Sequence, residues 1–455
     1  MPFDDLQPLL ADTLARSLRY LESLPTRPVA PPAAAIAGLA SLDVPLQDDP
    51  IDPQRVLQEL DDCVTPATMA MPGPRFFGFV IGGSLPAALA ANWLATAWDQ
   101  NTGLYNSTPG TAHVERVALR WLLDVLRLPE DCAGAFVTGT TVAHITALSA
   151  ARHAVLATVG WDVERDGLFG APVVTVITSA EAHPTLYKAL GVIGFGRARV
   201  VRVPVDAQGR MRVELMPEIS GPTVICAQAG NVNTGACDPI AEIVRRAHAG
   251  GAWVHVDGAF GLWARVAPSL AHQIDGLELA DSWATDGHKW LNVPYDSGIA
   301  IVRDGNALQQ SMAVSAEYLP TETSLRNPSD FTPELSRRAR GVDIWAAMRS
   351  LGRSGITELV ERNCSQARRF ADAFRAAGLR VLNDVVLNQV LVQFGDPKRT
   401  RHVIAEIQRD GTMWAGETVW QGETAMRISV INWSTTDDDV DASIAAVLRI
   451  VSSVS

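Results

Sequence analysis

The sequence predicts an α/β protein: a large domain built on a mostly parallel sheet, preceded by a helical segment and followed by a smaller α+β domain. Three observations predict it. From about residue 70, helical patterns alternate with short apolar runs: GAFVTG, VVTVITS, ARVVRVPV, TVICAQ, AWVHVDG and SGIAIVRD. Such alternation argues for crossover helices over parallel strands. The first 70 residues lack these runs, and a long helical pattern after about residue 335 leads into a second set of short strands. The expected divisions are 1–70, 71–325 and 326–455.

Each element has a local reason. Leu6, Leu9, Leu10, Leu14, Leu18 and Leu21 recur at helical spacing, so residues 5–24 form an amphipathic helix. PTRPVAPPAAA is a proline-rich connector. A second helix runs from Asp52 to about Cys63 after the capping signal DDPIDP. Beyond residue 340 a long helix precedes LRVLND, NQVLVQFG, another helix and AMRISVINW.

Composition excludes several classes. The 455 residues are 47% hydrophobic, enough for a large core. A net charge of −12 argues against nucleic acid or anionic membrane as partners. The five cysteines are widely spaced without a CxxC pair, as expected of reduced thiols in a cytoplasmic protein without disulfides or zinc. The start is acidic, with no signal-like apolar run, and no stretch is long enough to span a bilayer.

Three motifs carry chemistry. In GAFVTGTTVAHITAL a strand ends near Thr138, Gly139 turns the chain, and Thr140 and Thr141 precede a helix. Free N–H groups and the helix dipole make that turn a phosphate cradle, although threonine is also a routine helix cap. In AWVHVDGAFG, Asp257 ends an apolar strand, a common ligand position in an open α/β sheet; it reads equally as a cap or a structural ion pair. In ADSWATDGHKWLNVPYDSG, Lys289 stands among aromatic and small residues, in a chain whose 38 basic residues are mostly arginine. A desolvated amine there is a candidate for imine chemistry, whereas an isolated lysine is more often a surface residue. Taken in order, the three supply what pyridoxal phosphate needs. The turn holds the phosphate, Asp257 keeps the pyridine nitrogen protonated, and Lys289 carries the aldehyde.

With these residues in place the sequence resembles the pyridoxal-phosphate-dependent group II decarboxylases, which include the aromatic-L-amino-acid decarboxylases. The resemblance runs from about Pro74 to Asp439, through PRFFGFVIGGSLPAALA, TPGTAHVERVALRWLLDVLRLPE, AHPTLYKALGVIG, VHVDGAFG and the HKW block. It implies fold type I, as in aspartate aminotransferase, and a homodimer with the site at the interface. It assigns His183 to stacking on the coenzyme ring and contacting the substrate carboxylate. Ala259 would pack on the opposite ring face. Asp286 and His288 would help to hold the phosphate, with Asp286 standing where many relatives have asparagine. Asn231 or Asn233 would lie near the coenzyme. Val80, Ile81 and Gly82 would line the substrate pocket, and Arg427 would be either a structural ion pair or a carboxylate contact.

The family usually returns a proton to Cα from a tyrosine on a mobile loop of the partner subunit. The corresponding segment, about 311–335, places Phe331 at the expected position, with Tyr318 several residues away. Two outcomes follow. His183 or Tyr318 supplies the proton and the product is an amine, or oxygen intervenes and the products are an aldehyde, ammonia and carbon dioxide. The first is the leading expectation, with an aromatic or apolar L-amino acid as substrate. An aminotransferase would share the coenzyme but not the HKW block.

Overall fold

A computed structural model describes residues 6–314 and 326–454. The chain opens with α1 (Leu6–Ser23), α2 (Ala33–Gly38) and α3 (Pro53–Val64). The Asp52 carboxylate caps α3 by accepting from Gln54 N–H at 2.8 Å. The proline-rich stretch is not wholly a connector, because its alanines form α2. Leu6, Leu10, Leu14 and Leu18 form an exposed apolar stripe along α1. Helices α4 (Pro86–Trp98) and α5 (Pro109–Val125) follow, each entered through a proline at its first turn.

The large sheet then begins with β1 (Ala133–Val137), followed by α6 (Thr140–Ala157), α7 (Val163–Asp166), β2 (Thr175–Ser179), α8 (Pro184–Val192), β3 (Val201–Val203) and β4 (Thr223–Gln228). It is completed by α9 (Ile240–Ala249), β5 (Trp253–Asp257), β6 (Ser282–Asp286) and β7 (Gly298–Val302). The strand order is β1-β7-β6-β5-β4-β2-β3, with β7 alone reversed. The predicted alternation of helices and strands departs here in two ways. The connection from Asp257 toward Lys289 holds three 3-10 turns (Gly261–Val266, Ala271–Ile274, Leu277–Leu279) and no α-helix. It also contains a strand, β6, whose sequence SWATD does not read as one. All five of its residues are buried, and pairing with β5 and β7 overrides their weak propensity.

Helix α10 (Gly305–Met312) leads to residue 314, and the chain resumes at Arg326 before α11 (Gly341–Ala376). Gly352, at φ 61°, breaks that helix into two arms. Then β8 (Arg380–Val381), β9 (Gln389–Gln393), α12 (Pro397–Asp410), β10 (Gly416–Trp420), β11 (Glu423–Ser429) and α13 (Asp437–Ser453) form a second layer. Its four strands are antiparallel, in the order β10-β11-β9-β8, over a core that includes Phe370, Phe374, Val392 and Ile428. Strand β10 and the final helix add to the elements expected there. The five cysteines are free. No helix among the described residues is long and apolar enough to cross a membrane.

Candidate active site

The carboxyl ends of β5 and β6 and the first turn of α6 converge on one point. Thr140 and Thr141 do not precede the helix; they are its first two residues. Ala143 N–H is the first to bond back, to Gly139 C=O at 2.9 Å, so the earlier amides point out of the helix end. The close approach that this turn requires falls on Gly298 of β7. A Cβ there would lie 2.4 Å from the Gly139 backbone.

Lys289 follows β6 directly, half-buried. Its Nζ is 3.1 Å from Asp286 Oδ2, and Asp286 Oδ1 accepts from Thr140 N–H at 2.7 Å. One carboxylate thus joins the lysine to the helix end. His288 Nε2 lies 3.6 Å from the same oxygen. Burial alone would push the Asp286 carboxyl up. Lys289, His288 and hydrogen bonding from Thr140 outweigh it and hold it below the usual range.

Asp257, at the end of β5, is 5% exposed. Its Oδ1 accepts from Ala259 N–H at 3.1 Å, and Oδ2 is 3.4 Å from His144 Nε2. Burial again opposes ionisation, but His144, His183 and Lys289 hold the carboxyl well below its ordinary value. Ala259 C=O accepts from Asp286 N–H at 3.1 Å, which ties the two strand ends together. His183 precedes α8 as its cap. Its Nδ1 accepts from Thr185 N–H at 3.4 Å and lies 2.7 Å from Thr185 Oγ1, which leaves the proton on Nε2. Burial lowers its pKa.

Comparison with known proteins decides what this arrangement is. The model of the pyridoxal-dependent decarboxylase conserved domain matches residues 37–393. The chain belongs to that family. It is 28% identical to tryptophan decarboxylase 1 of Oryza sativa subsp. japonica over 400 residues, 82% of this chain and 76% of the relative. It is 26% identical to 4-hydroxyphenylacetaldehyde synthase of Rhodiola rosea over 377 residues, 79% of this chain and 75% of the relative. In fold it matches the crystal structure of Oryza sativa TDC with PLP and tryptamine. The TM-score is 0.91 at 24% identity, covering 100% of this chain and 99% of that one. The fold is therefore type I, and the protein is a pyridoxal-phosphate-dependent amino acid decarboxylase.

The residues present fit that coenzyme. Thr140 Oγ1, at the helix end, and Ser297 Oγ are buried without a hydrogen-bond partner, and buried polar atoms of this kind signal a missing ligand. Tyr295 stacks on His288 with ring centres 4.2 Å apart and covers that side of the cradle. Neither His144 nor Tyr295 stands out in the sequence as a site residue of this decarboxylase. His144 lies one helical turn past the threonines, and Tyr295 lies within the quoted HKW block.

Other expected residues receive different surroundings. Asn231 is saturated by its own loop and the neighbouring Glu181 backbone. Its Nδ2 donates to Glu181 C=O and Gln228 Oε1, and its Oδ1 accepts from the amides of Asn233 and Thr234. It shapes the loop and has no free group to offer. Asn233 instead accepts from Arg427 Nη1 at 3.3 Å. Arg427 makes no ion pair among the described residues, and burial pushes its guanidinium down to about 10.

The pocket segment is fixed on the lysine backbone. Gly82 N–H donates to His288 C=O at 3.2 Å, and a Cβ on Gly82 would lie 2.1 Å from Lys289 O. Val80 points into the core, 1% exposed, and Ile81 packs toward Trp414. Phe79, which the sequence reading passed over, is exposed and stacks on Trp414. Phe79 and Val80 both have positive φ, at 54° and 58°. That strain costs on the order of 1–3 kcal/mol per residue and persists only where the surroundings enforce it. Phe331 closes the turn Pro328–Phe331. Its ring packs against the cluster of Ala135, Val137, Ala143, Ala284 and Ala300, with the Arg326 guanidinium 4.2 Å above it. Tyr318 lies outside the described residues.

Proposed function

We propose that the protein converts an aromatic or medium-sized apolar L-amino acid to the amine and carbon dioxide. When bound, pyridoxal phosphate supplies an aldehyde for the substrate amine and a ring that accepts the electrons of the broken bond. In this reading Lys289 carries the aldehyde. The end of α6, with Thr140 and Thr141, takes the phosphate. Asp257 would hold a proton on the ring nitrogen, and Ala259 and His183 would flank the ring. His183, through Nε2–H, and the guanidinium of Arg427 meet the substrate carboxylate, which a half-buried arginine with no acidic partner among the described residues is suited to bind.

The observation that carries the substrate class is the segment 78–82. It is apolar, strained and locked onto the Lys289 carbonyl, with Phe79 as its exposed side chain. Carbon dioxide release from a panel of L-amino acids tests it. Tryptophan, phenylalanine, tyrosine, leucine or methionine should lead, and a preference for glutamate, aspartate or diaminobutyrate overturns the reading.

A second outcome is the aldehyde, with ammonia and carbon dioxide released and dioxygen reduced to hydrogen peroxide. Similarity to a named aldehyde synthase favours it. Phe331 does not, because its side chain has a packing reason to be apolar. Product analysis separates the two: amine without ammonia supports plain decarboxylation, and aldehyde with ammonia supports the second.

The same reading includes a homodimer. The α1 stripe and the exposed Trp93, Leu94 and Trp98 of α4 leave apolar surface uncovered on a single chain. Sedimentation should give twice the chain mass.

A further inference from the structure

Behind Asp257 lies a line of buried polar groups that the proposed chemistry does not use. On β5, Trp253, His255 and Asp257 share one face by the two-residue strand period. Ser282 of β6 stands directly opposite His255 in the ladder and faces the same way. Helix α6 covers this face and lowers His144 onto it. The contacts run in sequence. Trp253 Nε1–H donates to Ser282 Oγ at 2.9 Å, Ser282 Oγ is 2.9 Å from His255 Nδ1, and His255 Nε2 is 2.8 Å from His144 Nδ1. His144 Nε2 faces Asp257 Oδ2 at 3.4 Å, within ion-pair range but beyond a well-formed hydrogen bond, and has no hydrogen-bond partner among the described residues. His144, His255 and Ser282 are all 0% exposed.

The direction of this line follows from its ends. The indole N–H can only donate, so it fills an acceptor site on Ser282 Oγ. If the serine donates onward to His255 Nδ1, His255 donates through Nε2 to His144 Nδ1, and His144 presents Nε2–H to Asp257. The indole, serine and His255 protons then each have a partner, and the His144 proton is directed at the carboxylate 3.4 Å away. In the opposite direction the serine proton has none, and a bare imidazole nitrogen faces a carboxylate, an arrangement that costs free energy in a dry interior.

We propose that His144 is a positioning residue for Asp257: with His255 and Ser282 it forms a one-way donor chain that keeps the carboxylate ionised and aimed at the coenzyme's ring nitrogen. The proposal rests on the assignment of Asp257 above. The other titratable groups facing Asp257 are His183 from the start of α8, Lys289 beyond β6 and the Cys226 thiol of β4. Of these neighbours only His144 is fully buried with its other ring nitrogen held by a further chain of polar groups. Burial holds the His255 imidazole far below its ordinary pKa, in keeping with a neutral link.

Two measurements test it. The first uses the unaltered protein without coenzyme, labelled with 15N-histidine. His144 and His255 should both carry their proton on Nε2, and His255 should not titrate between pH 5.5 and 8, a window taken as roughly one unit either side of ordinary imidazole. The opposite tautomers at His144 and His255 overturn the proposal. The second follows the 15N shift of the coenzyme ring nitrogen in holoenzyme variants. His144→Ala should move its deprotonation down by about one pH unit or more and lower kcat about ten- to hundredfold, the worth of one hydrogen bond to a charged group, with KM little changed. His144→Gln, whose amide can accept and donate in the same order, should restore most of both. An unchanged nitrogen titration in His144→Ala overturns the proposal. Asp257→Asn separates the two levels. If it leaves the ring nitrogen protonated, the Asp257 assignment fails, whereas the tautomers judge the chain alone.

Discussion

Asp257 and Asp286 end neighbouring parallel strands, face the same side of the sheet and are almost equally buried, at 5% and 3% exposed. Their partners differ in kind. Asp286 is held by a backbone amide and by the ammonium of Lys289. Asp257 is held by an imidazole that is itself fixed by a second imidazole and a serine. Helix α6 serves both: its first amide meets Asp286, and one turn later His144 meets Asp257. The difference teaches what each carboxylate can survive. In the proposed assignment Lys289 gives up its free ammonium on carrying the coenzyme, and Asp286 then loses a partner. Asp257 keeps its own partners throughout.

The largest expected effect comes from neutralising the better-held carboxylate. Asp257→Asn should lower kcat on the order of 10²–10³-fold, the usual cost of removing one fixed electrostatic contact, with coenzyme still bound by its visible band. A loss below tenfold would erase the contrast between the two sites.

The second effect is on stability against pH. Neutral buried imidazoles bind no proton in the folded state, but the unfolded chain binds one below about pH 6.5, so stability falls as pH drops through that value. The slope is up to about 1.4 kcal/mol per pH unit for each such group. His255 is the clearest case, being fully buried with its pKa lowered by burial. Both carboxylates add a further loss below about pH 4, since their folded pKa values are depressed and protonation begins in the unfolded chain. Urea midpoints of the coenzyme-free protein between pH 8 and pH 3 report both windows. His255→Asn should flatten the upper one.

A smaller effect is expected at the other carboxylate. Asp286→Asn keeps an acceptor for Thr140 N–H and removes a negative charge from the phosphate cradle. Coenzyme affinity should rise about tenfold or less, a difference of roughly 1.4 kcal/mol. Equilibrium dialysis measures it, and weaker binding would mean that the Lys289 pair organises the cradle. The smallest effect is expected at Phe331→Tyr. Its ring packs on an apolar cluster beneath α6, so the ratio of amine to aldehyde should not move. A change in that ratio would place position 331 in the chemistry.

Much of the site was legible in the sequence because it lies in short contiguous blocks. Asp257 ends an apolar strand, Lys289 sits in the HKW block, and the threonines open α6, each with a local signal. Strand β6 was not legible, since Ser282, Thr285 and Asp286 look like loop residues until β5 and β7 close on both sides. Asn231 and Asn233 could not be told apart, because two residues of separation decide which amide turns inward to its loop and which meets Arg427. The line from Ser282 to His144 joins positions 27 and 111 residues apart, and no pattern in a linear chain marks such pairs.

The sequence by itself determined the α/β class and the coenzyme and offered the candidate residues for it, because periodicity and short motifs encode local backbone geometry and chemical type. Only the tertiary structure decided how those groups are charged and aimed. Ionisation of a buried carboxylate depends on which donors lie within a few ångströms of it. Here those donors come from α6, β5 and β6, which meet only when the sheet is formed and the helix is laid across it.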